Sequence, residues 1–96
     1  MAVRRTPRAD QDLVGIYLEG VGQFGQRQAE IYAANLSSCF ELLASQPLMA
    51  RERTEIQPPV RVHAHGSHII VYAVDEEDIL IMRVLHGRRD WEREFQ

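Results

Sequence analysis

Apolar and polar positions along the chain follow two periods, helical first and strand-like afterwards. Residues 2–6, Ala-Val-Arg-Arg-Thr, fit a short strand. Thr6 is then placed to cap a helix, with Pro7 at the first helical position, where its missing N–H is not needed. Ala9, Leu13, Ile16 and Tyr17 recur at helical spacing, with Asp10, Asp12 and Glu19 off that face. Gly20, Gly22 and Gly25 mark its end and a turn. A second helix is predicted over about 26–46, with Ala29, Tyr32, Ala33, Leu36, Phe40 and Leu43 as its stripe and Pro47 as its stop. Two helices joined by so few residues pack as an antiparallel hairpin.

Residues 48–60 read as a loop, with Pro58-Pro59 holding extended backbone. The period then changes from 3.6 to 2. Strands are predicted at Val60–Ala64, Ile69–Val74 and Ile79–Leu85, joined by a Gly66-Ser67 hairpin loop and by a turn at 75–78.

The Gly66-Ser67 loop sets a register. His65 faces His68, His63 faces Ile70, and Arg61 faces Tyr72, and cross-strand partners share a sheet face. One face then carries Arg61, His63, His65, His68, Ile70 and Tyr72. The other carries Val62, Ala64, Ile69, Val71 and Ala73, and is assigned here as the core against the helices. Pairing Val74 with Ile79 adds Ile79, Ile81, Arg83 and Leu85 to the polar face, and Leu80, Met82 and Val84 to the core face. Arg61, Tyr72 and Arg83 are thus expected to converge away from the helices, with His86 turned the other way. A slip of one residue at either turn undoes this. Ile70, Ile79, Ile81 and Leu85 would leave an apolar strip on that far face, for Trp91, Phe95 or a partner to cover.

Composition narrows the class. A chain of 96 residues, 45% hydrophobic and 26% charged, suits one small domain. No apolar run reaches the roughly 18–20 residues of a membrane span, and the N-terminus is too quickly polar for a signal peptide. The expected location is the cytoplasm, with no membrane partner. One cysteine, Cys39, allows no internal disulfide and reads as a buried small hydrophobe. All 11 basic residues are arginines, and the net charge is −3. That balance argues against a general nucleic-acid coat. Absence of lysine removes one common general acid/base and phosphate ligand.

The closing stretch "RVLHGRRDWE" fences His86 with arginines, in the manner of an acid–base site. No nucleophile or ligand set accompanies it, so a contact surface or a strand end is the better reading. His63, His65 and His68 could approach one another, but no cysteine or paired carboxylate completes a closed metal site. No metal, cofactor or catalytic residue is assigned.

The order strand–helix–helix–three strands resembles the ParE toxins of the RelE/ParE superfamily. The resemblance spans nearly the whole chain. It rests on the "FG…QA…Y…L…F…LA…P" spacing of the second helix, on the segment from Arg61 through Ser67-His68 to Tyr72, and on the ending "RVLHGRRD". It implies one α+β domain over residues 1–96: an N-terminal strand, a helical hairpin on an antiparallel sheet (β-α-α-β-β-β) with the last strand beside the first, and a short C-terminal helix. It also implies the toxin of a type II toxin–antitoxin module, which binds DNA gyrase, stabilises its cleaved DNA complex and is neutralised, in a hetero-oligomer, by a ParD-type antitoxin. Sequence-specific nucleic-acid binding is not expected.

RelE-like toxins, the sister branch, are ribosome-dependent mRNA endonucleases that use cationic side chains and a base or positioned tyrosine. Here lysine is absent, the net charge is negative, and no tyrosine follows His86. Those departures favour a gyrase-directed binder over a nuclease; a non-toxic antitoxin-binding homologue is the third reading. The expected target surface is Arg61, Tyr72, Arg83, His86, Arg88, Arg89 and Trp91. The antitoxin is expected on Leu13, Tyr17, Ile70, Ile81 and Leu85. On this reading Arg83→Ala weakens target action, whereas His86→Ala chiefly disturbs folding.

Overall fold

A computed structural model describes residues 1–95. Gln96, the last residue of the expected domain, lies outside them. Strand β1, Ala2–Arg5, leads into helix α1, Pro7–Phe24. Thr6 joins them twice. Its Oγ1 accepts from the Ala9 N–H at 3.0 Å as the helix cap, and donates to the Met82 carbonyl at 2.7 Å. Gly20 and Gly22 do not end α1, which continues to Phe24. Gly20 instead lets the next helix come close: a Cβ there would lie 3.3 Å from the Ala29 Cβ. The turn is at Gly25, with φ +88°, and α2 follows over Gln26–Ser45.

Three further strands pair as a meander: β3 (Val60–His65), β4 (His68–Val74) and β5 (Asp78–His86). The expected loop 48–60 also holds a two-residue strand, β2 (Glu52–Arg53), against β3. Sheet order is β1-β5-β4-β3-β2, so the last long strand does lie beside the first. The β1–β5 pair is parallel, which makes the sheet mixed rather than antiparallel throughout. A 3-10 turn, Trp91–Phe95, stands where a short helix was expected.

Register at the hairpin is as the Gly66-Ser67 loop requires: Arg61 opposite Tyr72, His63 opposite Ile70, His65 opposite His68. The β4–β5 pairing also starts as expected, with Val74 opposite Ile79 and Tyr72 opposite Ile81. A bulge then inserts one residue, so that Val71 faces Arg83, Ile70 faces Val84 and His68 faces His86.

The assignment of faces is reversed, in β5 as far as the bulge; beyond it Val84 lies on the helix side, as expected. Ile70, Tyr72, Ile79, Ile81 and Val84 pack beneath the helices with Ala9, Leu36, Cys39, Phe40, Leu43 and Ala44. Small residues at Ala9, Cys39 and Ala44 leave room for those bulky strand side chains. The far face, with Val62, Ile69, Val71 and Met82, gathers Ile56, Val60, Trp91 and Phe95 into a second, smaller cluster. Polar atoms on the helix side are accommodated by local bonds. The Tyr72 hydroxyl donates to the Pro47 carbonyl at 3.0 Å, and Arg61 Nη1 donates to the Ala50 carbonyl at 2.5 Å.

Candidate functional site

The expected target surface is divided by this fold. Arg61 and Tyr72 do come together, but under the helix side, where both hold the segment 47–50. Tyr72 is fully buried, and burial raises its pKa. Arg83 joins neither. Its guanidinium grips Asp12 of α1 bidentately, Nε to Oδ2 at 2.8 Å and Nη2 to Oδ1 at 3.0 Å, and its Nη1 donates to Glu94 Oε2 at 3.0 Å. Only 8% of Arg83 is exposed. The Asp12 bonds favour its charged form, raising its pKa further. Asp12 Oδ2 also accepts the Val84 N–H at 3.0 Å. Arg83 is therefore an internal strut between α1, β5 and the C-terminal turn.

His86, Arg88 and Arg89 remain exposed, and Trp91 is half-buried. The expected roles of Arg83 and His86 thus meet the opposite surroundings, because the residue with the dense internal bonds is Arg83. Arg89 pairs with the second oxygen of Glu94, while Arg53 lies over the Trp91 ring at 5.6 Å from its centroid. Glu94 is held below the usual carboxylate range, first by its hydrogen bond from Arg83.

On the helix side of His86, α1, α2 and the strand ends line a groove of about 380 Å³. Ile16, Phe24, Ala29 and Ile31 supply apolar wall, and Glu19, His68 and His86 supply polar rim. The Tyr32 phenol oxygen lies 3.1 Å from the His65 carbonyl and 2.7 Å from His68 Nδ1. One phenol proton serves one acceptor; with it on the carbonyl, His68 Nδ1 carries the proton of the second bond. The His68 and His86 rings stack edge-on, 5.5 Å apart. Burial, followed by the charge of His86, lowers the His68 pKa. Among the described residues no group of His, Cys, Asp and Glu is arranged to hold a metal ion.

The expected antitoxin residues also divide. Ile70 and Ile81 are wholly buried and Leu85 is 2% exposed, because the sheet presents their face or strand to packing rather than to solvent. Leu13 and Tyr17 are partly exposed and line a smaller hollow between the helices. Sequence reasoning missed the outward apolar side chains Val14, Leu18, Phe24 and Ile31, of which Val14 and Leu18 are about 60% exposed and Phe24 71%. A signal was present: Val14, Leu18 and Val21 repeat at i, i+4 and i+7, forming a second stripe beside Leu13, Ile16 and Tyr17.

Comparison with known proteins agrees with this architecture. Residues 3–91 match the family model described as the ParE toxin of the type II toxin–antitoxin system parDE. Toxin ParE1 of Mycobacterium tuberculosis H37Rv is 34% identical over 89 residues, covering 92% of this chain and 91% of the relative. Toxin ParE1 of Caulobacter vibrioides CB 15 is 34% identical over 83 residues, covering 86% and 85%. A solved structure described as a chromosomal ParDE system from P. aeruginosa superposes with a TM-score of 0.75 at 22% identity, over 90% of this chain and 95% of that one, and shares the fold. With nearly its whole length matched, the chain belongs to the ParE toxin family.

Proposed function

We propose that the protein is a toxin that acts by binding DNA gyrase and stabilising the enzyme's cleaved DNA complex, and that a ParD-type antitoxin neutralises it. The observation that favours binding over nuclease chemistry is the state of Arg83. A ribonuclease needs cationic groups free to meet a developing phosphorane charge. Here Asp12 holds that guanidinium bidentately and Glu94 takes its third nitrogen, so in the closed chain it is committed to internal carboxylates. Among the described residues His86 is paired with no nucleophile; its Nδ1 accepts the Arg88 N–H at 3.2 Å. His86, Arg88 and Arg89, with Trp91 at their margin, are the candidate target contacts. Arg83 supports them from within through Glu94, whereas Arg61 and Tyr72 hold the segment 47–50.

The antitoxin reading rests on the helical hairpin. The relative of known structure is described as a ParDE system, and the exposed Val14, Leu18, Phe24 and Ile31, with the partly open Leu13 and Tyr17, offer apolar contacts to an amphipathic partner segment. A toxin that locks one state of its target works through differential affinity for that state.

Purified protein tested with gyrase and supercoiled DNA, and separately with translating ribosomes and mRNA, decides the matter. The expected result is accumulation of cleaved gyrase–DNA complexes without mRNA cuts. Site-specific cuts in the ribosomal A site would sink the proposal, and inertness in both assays would point to a homologue that only pairs with its antitoxin.

A further inference from the structure

Glu94 sits between two guanidinium groups. Its two carboxylate oxygens receive Arg83 Nη1 and Arg89 Nη2, and the charge of Arg8 adds to the field around it. Arg83 already has a full partner in Asp12, so Glu94 is a second carboxylate at the same guanidinium. Three arginines thus meet two acids. Removal of Glu94 would leave an excess of positive charge, with a fixed donor on β5 and a movable one on Arg89. Paired donors of this kind accept a carboxylate and a phosphate by the same two-oxygen geometry.

The segment that delivers Glu94 is lightly held. The backbone bonds around it are local: Trp91 N–H to the Arg89 carbonyl at 2.8 Å, and Arg93 N–H to the Asp90 carbonyl at 3.3 Å. Its grip on the sheet comes from the Trp91 and Phe95 rings against the far-face cluster, from Arg53 over Trp91, and from Glu94 itself. None of its residues is fully buried. Elements with few buried contacts and no ladder bonds open at low cost.

We propose that Arg83 and Arg89 form an oxyanion site that the chain fills with its own Glu94, and that a phosphate-bearing ligand takes this site by displacing the turn Trp91–Phe95. The closed turn is then a built-in competitor. It lowers the apparent affinity for the ligand by the fraction of time the site is open. The ligand chemistry is a phosphate with two free oxygens, from a small phosphorylated compound or from a nucleic-acid backbone. The site shares Arg83 and Arg89 with the proposed target surface, but phosphate binding is read on this chain alone, so its failure and that of the gyrase reading are distinguishable.

Trp91 is the single tryptophan of the sequence and lies in the moving segment, so its fluorescence reports the displacement directly. The full chain is titrated with inorganic pyrophosphate at ionic strength held constant with sodium chloride, and in a second arm with a short single-stranded DNA. Expected is a saturable red shift of Trp91 emission with unchanged far-UV circular dichroism. Glu94→Gln removes the internal competitor and should tighten binding about tenfold or more. Arg89→Gln, a change at an exposed side chain, should abolish most of it. A response to DNA at lower phosphate concentration than to pyrophosphate identifies a backbone as the source; a response to pyrophosphate alone identifies a small phosphorylated compound. Absence of saturable binding in both the native chain and Glu94→Gln overturns the proposal. So does Arg89→Gln binding as tightly as the native protein.

Discussion

The two faces of the sheet are covered very differently. Beneath the helices, Ile70, Tyr72, Ile79 and Ile81 lose all solvent contact under 38 residues of α1 and α2. On the other face Val71 is also buried, but Val62, Ile69 and Met82 stay partly exposed, and the cover is Ile56 together with the five-residue turn. Burial drives stability roughly in proportion to apolar area. The helix side therefore carries most of the apolar burial, and the turn Trp91–Phe95 is the lighter cover. The candidate target contacts His86, Arg88 and Arg89 lie next to the thin cover.

Mutations can break this contrast. Tyr72→Ala should cost most, about 3–5 kcal/mol, since it empties a fully buried site and orphans the Pro47 carbonyl. Urea denaturation at constant m-value measures it, and a loss under 1 kcal/mol would place the core elsewhere. Arg83→Ala comes next, at about 3 kcal/mol, because it strands the half-buried Asp12 carboxylate. Asp12→Asn measured alone and in combination with it should be strongly non-additive, which a double-mutant cycle reads. Trp91→Ala should cost only about 1–2 kcal/mol while increasing hydrogen exchange in β4 at Ile69 and Val71. A cost equal to that of Tyr72→Ala would erase the distinction between the faces.

The smallest expected effect is a pH dependence at the groove. The His68 pKa lies below its ordinary value of 6.5 in the folded chain, so the folded state binds fewer protons than the unfolded one. Its contribution is fully present above the unfolded pKa and is lost as pH falls from about 6.5 toward the lower folded pKa. Melting temperature should therefore drop between pH 7 and pH 5, and His68→Gln should flatten that slope. An unchanged slope would remove His68 from the account. Leu18→Ser should leave stability within about 0.5 kcal/mol, as surface changes do, yet weaken antitoxin capture in a calorimetric titration.

Much of the fold was legible because its signals are local. Thr6-Pro7, Gly25, Pro47 and Gly66-Ser67 mark boundaries by backbone chemistry, and the loop length at Gly66-Ser67 fixed which residues of β3 and β4 face each other. The orientation of the sheet was not legible. Alternation separates Ile70 and Tyr72 from Ile69 and Val71, but both sets are apolar, and polarity was a poor tie-breaker. Arg61 and Tyr72 bury polar atoms by bonding the carbonyls of Ala50 and Pro47, partners that no local pattern announces. The bulge after Ile81 was equally silent, and with it the position of Arg83. Asp12 and Glu94 lie 71 residues behind and 11 ahead of Arg83, so the strut that removes it from the surface is a product of tertiary structure.

One bond at that strut has a consequence for self-association. Strand β1 ends at Arg5, while β5 runs on to His86. Past that end, a bare strand margin would offer N–H and C=O groups as a template for another chain. Thr6 takes the Met82 carbonyl and Asp12 takes the Val84 N–H, so two side chains from the start of a helix stand in for the missing strand. Unwinding of that first stretch of helix would expose the template together with its unneutralised arginine. Asp12 thus guards the protein against edge-to-edge stacking as well as holding its interior charge.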